Sequence, residues 1–135
     1  MNRDARLDYF EPYIWPPDDC ILDFYVHERD SRWDDWEVVW SARAFTWLTV
    51  GSHYIYSSLV EVWLEEGKDY AIGVAWNYTA TYYAEYGVSG HETGTWEYVG
   101  TVWDNSYSGF EGTAYRFPHE TASGAAYYQR ITMSW

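Results

Sequence analysis

Apolar and polar residues alternate along short stretches of this chain. From Asp69 to Trp76, Tyr70, Ile72, Val74 and Trp76 fall on one face and the small residues Ala71, Gly73 and Ala75 on the other, which is the period of two expected of a strand. The small second face predicts a bulky neighbour packed closely against it. Upstream, Leu59, Glu61 and Trp63 alternate with Val60, Val62 and Leu64, and Glu65-Glu66-Gly67-Lys68 predicts a hairpin-like turn into the next strand. Further strands are predicted at Ile21 to His27, Glu37 to Phe45, Trp47 to Tyr56 with a break near Gly51, Thr79 to Tyr86, Thr95 to Trp103, Thr113 to Phe117 and Ala126 to Ser134. Turn-forming residues cluster between them at Trp15 to Asp19, Glu28 to Asp35, Gly87 to Gly94, Asp104 to Gly112 and Pro118 to Gly124.

No long window repeats apolar residues at i, i+3, i+4 and i+7, so helices are not expected. The spacing predicts one all-β domain over residues 1–135, a single antiparallel β-sandwich, jelly-roll-like, with a closed antiparallel β-barrel as the alternative. Residues 1–17 are a candidate N-terminal arm, because Leu7 to Trp15 is apolar and Pro-bounded and suited to pairing with another chain's edge. The expected core comprises Phe24, Val26, Val38, Trp40, Tyr70, Ile72, Val74, Trp76, Val99, Ile131 and Met133.

Composition sharpens this picture. Leu, Ile, Val and Phe supply only 25 of 135 residues, a share that with a net charge of −13 would ordinarily signal disorder. Ten Trp and fifteen Tyr reverse that reading, since each aromatic buries roughly 150–250 Å². The acidity and a single lysine, Lys68, argue against nucleic acid and anionic membrane surfaces. No stretch approaches the roughly 18 apolar residues of a membrane helix, and Met1 to Arg6 carries no apolar signal run. The lone Cys20 matches no zinc or redox spacing.

The densest chemistry lies in Glu28 to Glu37. A sugar ring offers an apolar C–H face to an aromatic platform and hydroxyls to planar donors and acceptors, so Trp33 and Trp36 beside Arg32, Asp34 and Asp35 form a candidate glycan site. Indoles folded back on a hairpin, with solvated charges, account for the same residues. Asp104-Asn105-Ser106-Tyr107-Ser108-Gly109 opens like a calcium loop, with Asp104, Ser106, Ser108 and Glu111 as candidate Ca²⁺ ligands, but Tyr115 occupies the twelfth position where a bidentate Glu is required. A plain polar turn is the competing reading. The pairs His27-Glu28, His91-Glu92 and His119-Glu120, with His53 apart, match no zinc spacing, and Asn77-Tyr78-Thr79 fits an N-glycosylation acceptor or a simple turn. No nucleophile elbow or phosphate loop occurs.

Leu59 to Leu64, Gly67 to Trp76, Tyr82-Tyr83 and the closing Tyr127-Tyr128-Gln129-Arg130-Ile131-Thr132 together resemble jelly-roll-type β-sandwich accessory modules of large secreted bacterial proteins. The resemblance implies an extracellular or cell-surface, non-catalytic role and carries no catalytic residue. The expected function is a binding or adhesion module for a glycan or cell-surface polymer, without membrane insertion. The alternatives are a structural subunit of a surface fibre or layer, self-associating through Tyr- and Trp-rich strands, and a small hydrolase.

Overall fold

A computed structural model describes residues 1–15, 20–46, 53–76, 81–82, 84–85, 101–103, 114–115, 119–121 and 126–135. Its strands are β1 (Ala5–Trp15), β2 (Cys20–Arg29), β3 (Trp36–Thr46), β4 (His53–Tyr54), β5 (Val62–Leu64), β6 (Asp69–Trp76), β7 (Thr81–Tyr82), β8 (Ala84–Glu85), β9 (Thr101–Trp103), β10 (Ala114–Tyr115), β11 (His119–Thr121), β12 (Ala126–Tyr127) and β13 (Gln129–Ser134). Among the described residues every strand pairing is antiparallel and no helix occurs. The all-β prediction therefore holds. One sheet is built around β1, flanked by β13, β4, β5 and β7; a second runs β10-β3-β2-β6; β11-β9 and β12-β8 form two small pairs.

Residues 5–15 depart most from expectation. β1 pairs with β13 over Arg6 to Pro12, with β5 over Ala5 to Leu7 and with β4 at Tyr13 and Ile14. The proposed arm is thus a central strand of its own sheet, with its edges taken by the same chain. Its alternation changes phase at a bulge. Leu7 faces Met133 and Tyr9 faces Thr132, so Asp8 is the extra residue. Ala5 and Leu7 are buried before the bulge and Phe10, Pro12 and Ile14 after it. Pro12 in a central strand is unusual because it has no N–H to donate, yet its carbonyl accepts from Ile55 N at 3.0 Å.

Of the alternating segment Leu59 to Leu64, only Val62 to Leu64 is a regular strand. Ser58 and Glu61 have φ of 72° and 55°, a region in which a strand cannot continue. The segment still follows β1: Ser57 N donates to Phe10 O and Val60 N to Asp8 O, while the buried Ser57 Oγ accepts from Phe10 N at 3.1 Å. Val60 and Leu64 reach the core, and Leu59 and Trp63 stay outside, as the alternation predicts.

The turn Glu65 to Lys68 has Gly67 at φ 84°, which the third position of a type II turn demands. It is not a hairpin. β5 belongs to the β1 sheet and β6 to the β2 sheet, so this turn carries the chain from one sheet to the other. The hairpin of the second sheet is β2–β3, where Val26 faces Trp40 but His27 faces Val38, leaving Val39 as an extra residue. That bulge places Trp40 on the core side and Val38 on the opposite face, correcting the expectation that both are core. The close neighbour expected over the small face of β6 is also absent at Gly73, where an added Cβ would meet nothing within 4 Å.

The two sheets share one apolar cluster. Leu7, Phe10 and Ile14 from β1 meet Leu22, Phe24 and Val26 from β2, with Val60 and Leu64 beside them. Trp40, Tyr70, Ile72, Val74, Trp76, Ile131 and Met133 pack around this centre as predicted. Phe10 stands edge-to-face to Phe24 at 5.8 Å and to Trp40 at 6.2 Å, a geometry that adds roughly 0.5–1.5 kcal/mol per pair to burial itself. Val99 lies outside the described residues.

Candidate functional site

The hairpin tip between β2 and β3 holds the residues singled out for glycan binding. Asp34 N donates to Ser31 O at 3.0 Å and Ser31 Oγ to Asp34 Oδ2 at 2.8 Å, a turn closed by short polar side chains. Arg32, Trp33, Asp34 and Asp35 are all exposed there, Trp33 at 82%, with the Arg32 guanidinium 5.4 Å from its ring. Trp36 is separated from them. It is buried at the start of β3 beneath the guanidinium of Arg29, 4.2 Å from its ring. A two-indole platform is therefore not assembled at the tip.

Arg29 belongs to the outward face of β2, where Asp23, Tyr25, His27 and Arg29 are all buried. Arg43 reaches Asp23 with two bonds, of 2.7 and 3.0 Å, and Arg29 pairs with Asp69 at 2.9 Å. Burial pushes the His27 imidazole down to about 4, opposed by a hydrogen bond with the Ala71 backbone. This stripe is internal scaffolding.

A second polar cluster closes the rim of the core beside the Glu65 to Lys68 turn. Glu28 accepts from Lys68 Nζ at 2.9 Å and from Tyr70 Oη at 2.8 Å, while Lys68 also reaches Glu65 at 3.1 Å. The hydrogen bonds to Glu28 and Glu65 hold the ammonium above its ordinary value, and burial raises the Tyr70 hydroxyl. Both therefore keep their protons at neutral pH and donate to Glu28, a brace between β2 and β6. Among the described residues no three His, Cys, Asp or Glu side chains are grouped to hold a metal ion. The candidate calcium residues Asp104, Ser106, Ser108 and Glu111 lie outside the described residues, as do His91 and Asn77-Tyr78-Thr79.

The outward face of the β1 sheet is different. After the bulge, Tyr9, Glu11, Tyr13 and Trp15 alternate with the buried Phe10, Pro12 and Ile14. Tyr9 meets Tyr56 edge-on at 5.2 Å, and Tyr13 meets Tyr54 at 4.7 Å. The Arg130 guanidinium lies over Tyr54, 3.7 Å from the ring centroid. Tyr56, Tyr128, Trp63 and Trp15 are exposed at 48%, 44%, 54% and 44%. Trp63 sits opposite Arg6 at one end of the strand and Trp15 ends the other. At about 3.3 Å per residue, Arg6 to Trp15 spans roughly 30 Å. The chain thus presents a long, open face of aromatic rings with charged residues between them.

The sequence reading set residues 1–17 aside as an arm for another chain's edge, and the Asp8 bulge, which moves the buried positions from Ala5 and Leu7 to Phe10, Pro12 and Ile14, breaks the single period of a regular strand. The signal available in the sequence was the density of aromatic rings, Tyr9, Phe10, Tyr13 and Trp15, within one short stretch. No family model, curated protein or solved structure matches this chain.

Proposed function

We propose that this chain is a non-catalytic binding or adhesion module that holds carbohydrate on the outward face of its β1 sheet, within a jelly-roll-like β-sandwich, outside the cell or at its surface. The observation that carries this reading is the run of exposed and half-exposed tyrosines, paired as Tyr9–Tyr56 and Tyr13–Tyr54 along one strand. Tyrosine suits a sugar on two counts: its ring takes the C–H face and its hydroxyl meets the sugar's own hydroxyls. The flanking Glu11 and Arg130 add an acceptor and a donor. The sandwich reading is supported by the single apolar cluster fed by both sheets and by the turn that passes between them. The extracellular placement follows the resemblance to secreted accessory modules.

Affinity electrophoresis against a panel of soluble polysaccharides tests the site. Tyr13→Ala with Tyr56→Ala should weaken retention by the polymer bound at least tenfold, about 1.4 kcal/mol. Unchanged retention of this variant removes the site. The same rings packed against a second copy would make a fibre subunit instead, which sedimentation of the parent at high concentration distinguishes.

A further inference from the structure

The chain carries a net charge of −13, but the β1 face does not share it. Its described charged residues are Arg6, Asp8, Glu11 and Arg130, two of each sign. Arg6 is committed, with Nε 2.7 Å from Asp8. Arg130 is not. It stands directly opposite Glu11 in the register, yet among the described residues it forms no ion pair, and its guanidinium rests on Tyr54. A guanidinium stacked on a ring has one face occupied, while its in-plane N–H donors stay available for an oxyanion. The side chain is exposed, so those donors face solvent at the centre of the tyrosine face.

We propose that the ligand of this face is a carboxylate-bearing polysaccharide, a uronic acid polymer, whose carboxylates Arg130 reads. This rests on the carbohydrate reading above. The planar fork of arginine matches a carboxylate with two parallel bonds, which a neutral sugar cannot return. Tyr13 packs against Tyr54, so a pyranose ring resting on Tyr13 has Arg130 as its neighbour across that pair. The open strand-length face accommodates a polymer, not a single ring. The net charge that counts against extended polyanions such as nucleic acid is damped by salt beyond about 8 Å, whereas this face itself carries two described residues of each sign.

The experiment is affinity electrophoresis of the full chain in gels containing polygalacturonate or alginate, and the same polymers with their carboxylates reduced to alcohols. The expected result is at least tenfold tighter retention by a carboxylated polymer than by its reduced form. Arg130→Gln should erase that preference, so that the variant is retained equally by the carboxylated polymer and its reduced form, with the cooperative unfolding transition preserved. Arg130→Lys should recover part of it, which keeps the test valid if the glutamine variant fails to fold. Equal retention on both forms, or a full preference in Arg130→Gln, overturns the uronate assignment and leaves the carbohydrate site standing. No retention on either form, with none on neutral polysaccharides, overturns both.

Discussion

β1 and β2 are each the central strand of a sheet and are nearly equal in length, at 11 and 10 residues, yet only β2 is buried on both faces. The outward positions of β2 hold Asp23, Tyr25, His27 and Arg29, and the fold removes all four from water. The matching positions of β1 hold Tyr9, Glu11, Tyr13 and Trp15 and remain in contact with solvent. Both stripes mix aromatic and charged residues, so composition does not separate them. Pairing does: the β2 charges are bound to Arg43 and Asp69, whereas the β1 face leaves Arg130 stacked on a tyrosine and, among the described residues, in no ion pair. Charged residues that are buried and paired hold a structure together, and those kept open among aromatic rings are available to a ligand.

The largest effect should come from the core that the two strands share. Phe24→Ala removes a ring with no exposure and its contact with Phe10, and should cost about 3–5 kcal/mol in denaturant unfolding. The buried stripe of β2 should next reveal itself through pH. The unfolded imidazole protonates near 6.5 and that of folded His27 near 4, so the fold excludes the proton. The contribution of His27 is complete above pH 6.5 and declines as pH falls toward 4, reaching a loss of about 3 kcal/mol. In urea unfolding between pH 7 and 4, His27→Gln should show that much less acid destabilisation than the parent; parallel curves would mean that the site is open to water. The smallest effect is expected at the hairpin tip. Trp33→Ala should change stability by less than about 0.5 kcal/mol, since the ring is 82% exposed, and should leave polysaccharide retention unchanged. A loss of retention there would move the site from the β1 face to the tip.

How much of this was legible in the sequence varied with the regularity of the strand. β6 was read to its boundaries because nothing interrupts its alternation, and Phe24 and Val26 of β2 followed in the same way, whereas Leu22 was not expected in the core. The β1 strand was hidden by two local features, Pro12 and the extra Asp8, each of which is accommodated only by partners distant in sequence: Ile55, Met133 and Thr132. Val38 was misassigned for a similar reason, since a one-residue bulge reverses every side chain beyond it. At the tip, Trp33 and Trp36 look equivalent in sequence, and the fold separates them by pairing Trp36 with β10 and burying it beneath Arg29 while Trp33 stays exposed. The tyrosine face could not be assembled from sequence because Tyr54, Tyr56 and Arg130 reach β1 from segments 40 to 120 residues away, at about one strand spacing.

The most direct test compares polysaccharide retention and unfolding of Tyr13→Ala/Tyr56→Ala with those of the parent. The account predicts at least a tenfold loss of retention with the cooperative unfolding transition preserved, because these rings face outward and the core lies beneath Phe10, Pro12 and Ile14. Full retention by the double variant would contradict it and leave the β1 face as no more than the outside of a sheet.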